Sequence, residues 1–360
     1  MSAERRPALE ASYRALGATW TEARGCLLPE HFGDVRAEYY AVRKAAGVLD
    51  RTDCAYLTAA GPDAVRFLQG MLSNDVKRLQ PGHGCYATQL TALGQMVADL
   101  YVFRMDDHLL LETDWSRRGP LREMLEKHII ADDVELSDRS EQLAALAVEG
   151  PHSGGLVAAA GAAALPGEEF DHTWVKLGET PVLVARLGET GEESYRLIFA
   201  VEYAQNVWDA LSAQQAGVPW KPVGHAAFNI LRTEAGLPRF GAEMDERTLP
   251  PEAGLERALS YTKGCYIGQE TIERIRSRGH VNRQLIGLRL RGDSLPAAGA
   301  KLLLDAKEVG WITTAVESPT LGRIALAYVR REHREPGTKL TVESGGGAEV
   351  VALPFHYATR

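Results

Sequence analysis

Apolar residues recur along this chain with two periods, one helical and one of strict alternation. In "GPDAVRFLQGMLSND" (61–75), Val65, Phe67, Leu68 and Leu72 fall on one helical face. Pro62 suits a first turn and Asp63 complements a helix N-terminus, so the spacing predicts a helix of about three turns. "EYYAVRKAAGVLD" has the same period and predicts a helix ending near Gly47, after which "AYLTAAG" alternates as a strand. From 83 to 114, "HGCYATQLTALGQMVADLYVFRMDDHLLLETD" reads as three strands with turns at "TALGQ" and "MDDH", an antiparallel meander.

A helix over "SRRGPLREMLEKHII" and two strands within "DVELSDRSEQLAALAVEGP" follow. The alanine-rich "GLVAAAGAAALPG" predicts a short surface helix. Two strands in "TPVLVARLGETGEESYRLIFAVE" are joined by a glycine turn, and "YAQNVWDALSAQQAG" is a helix stopping at Gly217. The grammar of 50–130 thus occurs twice, and strands mixed with helices and hairpins point to α+β layers rather than a doubly wound sheet. Beyond 281 no long helix is visible. "LIGLRLRGD", "KLLLDAKEVGWITTAVES", "IALAYVR" and "TKLTVES" are short strands between turns, which predicts a small β-barrel or sandwich over 282–360 beside an α+β region over 1–281.

At 360 residues, 45% hydrophobic and 24% charged, the chain is globular in composition and long enough for two or three domains. A net charge of −8 argues against a protein that works by coating nucleic acid. No stretch approaches the roughly 20 apolar residues of a membrane span, and the first residues lack the apolar core of a signal peptide, so the expected location is the cytoplasm. Cys26, Cys54, Cys85 and Cys265 lie far apart with no CxxC pair, and the histidines show no paired ligand spacing, so no metal site is expected.

The most unusual stretch is "KGCYIGQE": Lys263, Gly264, Cys265, Tyr266, Ile267, Gly268, Gln269 and Glu270. It reads as a glycine-rich loop opening a helix near Gly268. A thiol close to a helix N-terminus and two residues from a lysine is in a setting that favours reactivity, for soft-metal ligation or disulfide exchange. Equally open from these residues is a tight turn shaped by the two glycines, with a packing thiol and with Gln269 or Glu270 closing the helix end.

Five segments, "ALGATWTEARGCLLPEHFGDVRAEYYAVRKAAGVLDRTD", "GPDAVRFLQGMLSNDV", "LGQMVADLYVFR", "LRTEAGLPRFGAEMDE" and "GWITTAVESPTLGRIALAYV", resemble in the same order the T-protein of the glycine cleavage system. "KGCYIGQE" resembles the motif of its YgfZ-type relatives. The resemblance implies a three-domain cloverleaf, with two interwoven α+β domains and a C-terminal β-barrel around a central cavity for tetrahydrofolate or a one-carbon derivative of it. It places Tyr86 and Asp99 at the cavity, with Asp99 near the folate nitrogen that carries the one-carbon unit. A carboxylate there exchanges a proton with that nitrogen and opposes positive charge.

The chain also departs from the pattern. The first acid of a "DDL" pair is Ala98, a tyrosine position holds Glu189, the acid expected on the pterin is Arg196, and an arginine is Phe228, leaving Arg232. Arginine offers only donors, so a pterin here is held differently. The resemblance implies a folate-binding protein that supports iron–sulfur enzymes, with Asp99 and Cys265 as the chemical groups, Tyr86, Glu189, Arg196, Phe228 and Arg232 around the folate, and iron–sulfur assembly or client proteins as partners. The alternatives are a tetrahydrofolate-dependent one-carbon transferase, acting on aminomethyl or methyl donors, and a scaffold without folate.

Overall fold

The computed structural model describes residues 5–355. Two sheets and a barrel account for most of the strands, an α+β architecture. A six-stranded sheet is ordered His172–Leu177, Thr180–Arg186, Ser194–Ala200, Leu143–Glu149, Ala46–Asp50, Trp220–Val223. A five-stranded sheet is ordered Gly84–Leu90, Met96–Arg104, His108–Asp114, Cys54–Ala60, Glu135–Asp138. The chain leaves the first sheet after Ala46–Asp50, builds the whole second sheet, and returns at Leu143–Glu149, so the two are interwoven. The final six strands, Arg283–Arg291 through Gly347–Val351, close on themselves as a barrel, which removes their open edges.

Alternation along the strands explains the layering. On the five-stranded sheet, Leu57, Ala87, Ala98, Leu100, Leu109 and Leu111 face the helices Ala64–Met71 and Arg118–His128, which bury Phe67, Leu68, Leu121 and Leu125 against them. The opposite face, with Cys54, Tyr56, Phe103 and Leu110, packs on Ala145, Leu183, Ala185 and Ile198 of the six-stranded sheet. The functional cavity lies along this second face, where charged residues replace the apolar ones.

Two predicted elements differ. The helix over 38–50 is Val35–Lys44, and "AGVLD" is a strand. Gly47 belongs to that strand because it is squeezed: a Cβ there would stand 2.5 Å from Val42 Cγ2 and 2.7 Å from Val223 Cγ2. The alanine-rich helix, Ser153–Ala159, is not a surface decoration, since Leu156 and Val157 are fully buried on the six-stranded sheet. Among the described residues no helix is long and apolar enough to cross a membrane.

Candidate active site

Because Ala98 and Leu100 point into the helix-covered core, Asp99 and Tyr101 point the other way, into a cavity. Charged and aromatic side chains line it, among them Arg24, Arg51, Tyr101, Phe228 and Arg239. Tyr86, on the adjacent strand, donates its hydroxyl to Asp99 Oδ2 at 2.8 Å. The Tyr86 and Tyr101 rings lie 5.0 Å apart, and the Arg257 guanidinium sits 5.1 Å over Tyr86. Burial pushes the Asp99 carboxyl above the ordinary range, against the lowering effect of the Tyr86 hydroxyl, and the Asp114 carboxylate adds to the rise. Burial likewise raises the Tyr86 phenol well above its usual value, so it stays a donor.

A chain of alternating charges forms the rest of the wall. Arg24 pairs with Asp114 and, at 2.7 Å, with Asp53. Arg51 reaches Asp53 at 2.9 Å and also Glu189. Arg196 joins Glu189 at 2.5 Å and Glu112, which accepts from the Tyr56 hydroxyl at 3.0 Å. Although burial alone would raise Asp53, Arg51 and Arg24 hold it well below the usual carboxylate range. Burial pushes the Cys54 thiol up to about 12, which keeps it protonated beside Arg196 Nη1 at 3.2 Å. Phe228 lines the cavity and carries the Arg51 guanidinium 5.3 Å above its ring.

Arg232 borders the same space, but its donors are engaged inward. Nε bonds Asn229, Nη1 bonds Leu237 O and Glu243, and Nη2 bonds Thr314 of the barrel at 3.0 Å. It therefore ties the helix His225–Glu234 to the barrel. Arg239 is different: its Nε and Nη1 are buried without a hydrogen-bond partner. Burial, then the positive charges of Arg24 and Arg232, push its pKa well below that of an ordinary guanidinium. Neighbouring His225 is held neutral, pushed down to about 3 by burial and by Arg239 and Arg24.

"KGCYIGQE" lies behind this site rather than in it. The Lys263 ammonium is turned away from Cys265 and donates to three carbonyls, Gln69 O at 2.6 Å, Asn74 O at 2.9 Å and Leu72 O. Asn74 in turn donates to Tyr86 O at 2.8 Å, so the lysine anchors the strand that presents Tyr86. Tyr266 packs in the apolar cluster of Tyr86, Phe240 and Met244. Gln269 and Glu270 open the helix Gln269–Arg278, four residues beyond Cys265, and Gln269 Oε1 accepts from the Tyr266 amide at 3.3 Å. Cys265 is exposed and lines none of the cavity. The lysine and helix end that suggested an activated thiol thus serve the backbone instead.

Gly268 has φ +86, and a Cβ would meet Thr91 O at 2.6 Å, whereas a Cβ on Gly264 meets nothing within 4 Å. Gly268→Ala is expected to lower stability by about 1–3 kcal/mol, and Gly264→Ala by no more than about 0.5 kcal/mol. Urea midpoints compare the two, and equal midpoints would refute the assignment of the turn to Gly268.

Residues 9–263 match the family described as the GCVT N-terminal domain, and 283–356 the glycine cleavage T-protein C-terminal barrel domain. The chain belongs to the glycine cleavage T-protein family. It is similar to the aminomethyltransferase of Streptomyces coelicolor, 34% identical over 367 residues, covering 98% of this chain and 97% of the relative. That of Rubrobacter xylanophilus is also 34% identical, covering 99% and 95%. The crystal structure of aminomethyltransferase T from Bartonella henselae shares the fold, with a TM-score of 0.90, 23% identity and 99% of each chain covered.

Within this T-protein fold the structure brings Tyr86, Asp99, Glu189, Phe228 and Arg232 to one cavity, with Arg196 directly behind Glu189. It keeps Cys265 apart. Sequence reasoning missed Arg24, Arg51, Asp53, Glu112, Asp114 and Arg239. A usable signal existed for Glu112, a carboxylate inside the apolar run "HLLLETD", since a buried charge in such a strand demands a partner. For Arg239 no local pattern marks the residue.

Proposed function

We propose that this protein transfers a one-carbon unit from an aminomethyl donor to tetrahydrofolate. The carrying observation is the Asp99 and Tyr86 pair at the cavity, in a chain similar over its whole length to aminomethyltransferases. The residues present fit a folate. Tyr86, Tyr101, Phe228 and Phe240 offer flat apolar surface to a pterin and an aminobenzoyl ring. Asp99 and Glu189 supply acceptors for its N–H groups; Glu189, fixed by Arg51 and Arg196, takes up the acceptor role that Arg196 lacks.

When bound, tetrahydrofolate supplies the nitrogen nucleophile that receives the one-carbon unit. The chain's own part is proton handling and electrostatics. Tyr86 fixes the Asp99 carboxylate through Oδ2 in the cavity wall, where the carboxylate takes or returns the proton at that nitrogen and opposes positive charge there. The raised pKa of Asp99 brings it nearer the working pH, which suits a group that must both accept and release a proton.

Purified protein mixed with tetrahydrofolate and an aminomethylated carrier should form methylenetetrahydrofolate and release ammonia in equal amounts. Folate binding without any turnover on such donors would remove the reading.

Support of iron–sulfur enzymes is the second reading, favoured by one observation, the exposed Cys265 in "KGCYIGQE". The names of the relatives favour transfer instead, and Cys265 is not among the residues that line the cavity. Cys265→Ser is expected to leave methylenetetrahydrofolate formation within about twofold of wild type, as for an exposed side chain. Lost turnover with folate affinity intact would return the thiol to the chemistry.

A further inference from the structure

The cations around the cavity are matched by carboxylates, with one exception. Arg24 has Asp53 and Asp114, Arg51 has Asp53 and Glu189, Arg196 has Glu112 and Glu189, Arg232 has Glu243, and Arg257 has Glu169. Among the described residues Arg239 has no acidic partner. Its Nη2 reaches only the neutral His225 Nε2, at a long 3.4 Å, and its other two nitrogens are buried and unbonded. Asp53 and Glu243 act on the Arg239 guanidinium only from beyond ion-pair distance, and a buried cation without a direct partner is unfavourable, a cost relieved when an anion arrives. Its planar fork matches a carboxylate with two parallel bonds.

The cavity therefore has two unfinished ends. Asp99 offers a carboxylate that only Tyr86 contacts through its side chain, and Arg239 offers open donors. Both line the same cavity. A ligand set with an amine or ring N–H at one end and a carboxylate at the other satisfies both. We propose that Arg239 is the carboxylate-binding subsite of this cavity. The inference deepens the transfer reading and rests on it for what the carboxylate belongs to: the glutamyl end of the folate, or a small amino-acid donor that needs no carrier.

Calorimetric titration of the full chain distinguishes the sources with two matched pairs, tetrahydrofolate against 6-methyltetrahydropterin, and N-methylglycine against its carboxamide. Arg239→Leu should weaken the carboxylate-bearing member of at least one pair about tenfold or more, as for a lost hydrogen bond to a charged group, and leave the carboxyl-free member unchanged. Arg239→Lys should fall between. A loss confined to tetrahydrofolate assigns the glutamyl end, and one confined to N-methylglycine assigns the donor. Equal losses within each pair, or none, overturn the subsite. If neither pterin binds wild type, the transfer reading fails, while the N-methylglycine pair still decides Arg239, and no preference there overturns the subsite too. Ligand-free Arg239→Leu should melt at or above the wild-type temperature. A clearly lower melting point, with Arg239→Lys restoring it, would make the residue structural and likewise overturn the proposal.

Discussion

Asp99→Asn will lower one-carbon transfer to tetrahydrofolate by about 10²- to 10⁴-fold, the usual contribution of a positioned acid–base group. The amide keeps the size of the side chain and an acceptor for the Tyr86 hydroxyl, so the folate dissociation constant should move far less than turnover. The same substitution should stabilise the protein at neutral pH. The folded-state pKa of Asp99 lies above its unfolded value because burial disfavours the charged form, so an ionised Asp99 is a net liability to the fold. Below the unfolded pKa the carboxyl is protonated in both states and the liability vanishes. The gain of Asp99→Asn is therefore present above the raised pKa and fades as pH falls toward the ordinary carboxylate range. Melting temperatures from pH 4 to pH 8 follow it. A variant with wild-type turnover would end the catalytic assignment, and one destabilised at pH 7 would end the linkage argument.

Arg196→Leu will cost about 3–5 kcal/mol of stability, the penalty for stripping one partner from a buried ion pair. Arg196 is 0% exposed and Glu112 1%, so water does not replace the lost guanidinium. Glu112 would keep only the Tyr56 hydroxyl and the Cys54 thiol as neighbours, while Glu189 would retain Arg51. The cost is one of imbalance rather than of a lost attraction. Arg196→Leu combined with Glu112→Leu should accordingly recover most of the loss, since well-packed apolar replacements for a buried pair are often neutral. Urea midpoints of the two single variants and the double variant form the cycle. A single variant as stable as wild type, or a double variant worse than both, would refute the imbalance. Arg196 therefore neutralises Glu112 between the two sheets and also holds Glu189 at the ligand space.

Much of the frame was legible from local patterns. The meander over 83–114 and the short strands after 282 follow from alternation and turn residues, because strands expose their period directly in sequence, whereas the closure of those last strands into a barrel rather than a sandwich came from the fold. Tyr86 and Asp99 were placed at the cavity only by the family resemblance; the register that gives Ala87, Ala98 and Leu100 the helix-covered face, and the two polar side chains the other, came from the fold. Gly47 shows the limit. Helical period and a glycine stop predicted the wrong element there, since pairing with the strand Trp220–Val223, about 175 residues away along the chain, decided it.

The chemistry of "KGCYIGQE" illustrates the same limit at the site. One residue, Gly264, separates Lys263 from Cys265, yet the ammonium spends its donors on carbonyls of 69–74, nearly two hundred residues away along the chain. Local order along the chain and the α+β class are written in the residues themselves through periodicity, and the T-protein family through motifs in series; the YgfZ-type reading of "KGCYIGQE" finds no support in the relatives. Which charges neutralise one another was settled by the folded arrangement alone. Arg24 finds Asp114, Arg51 finds Glu189 and Arg196 finds Glu112 across loops and interwoven strands, and among the described residues Arg239 finds no direct acidic partner, because electrostatic balance in a buried space depends on distances that spacing along the chain does not encode.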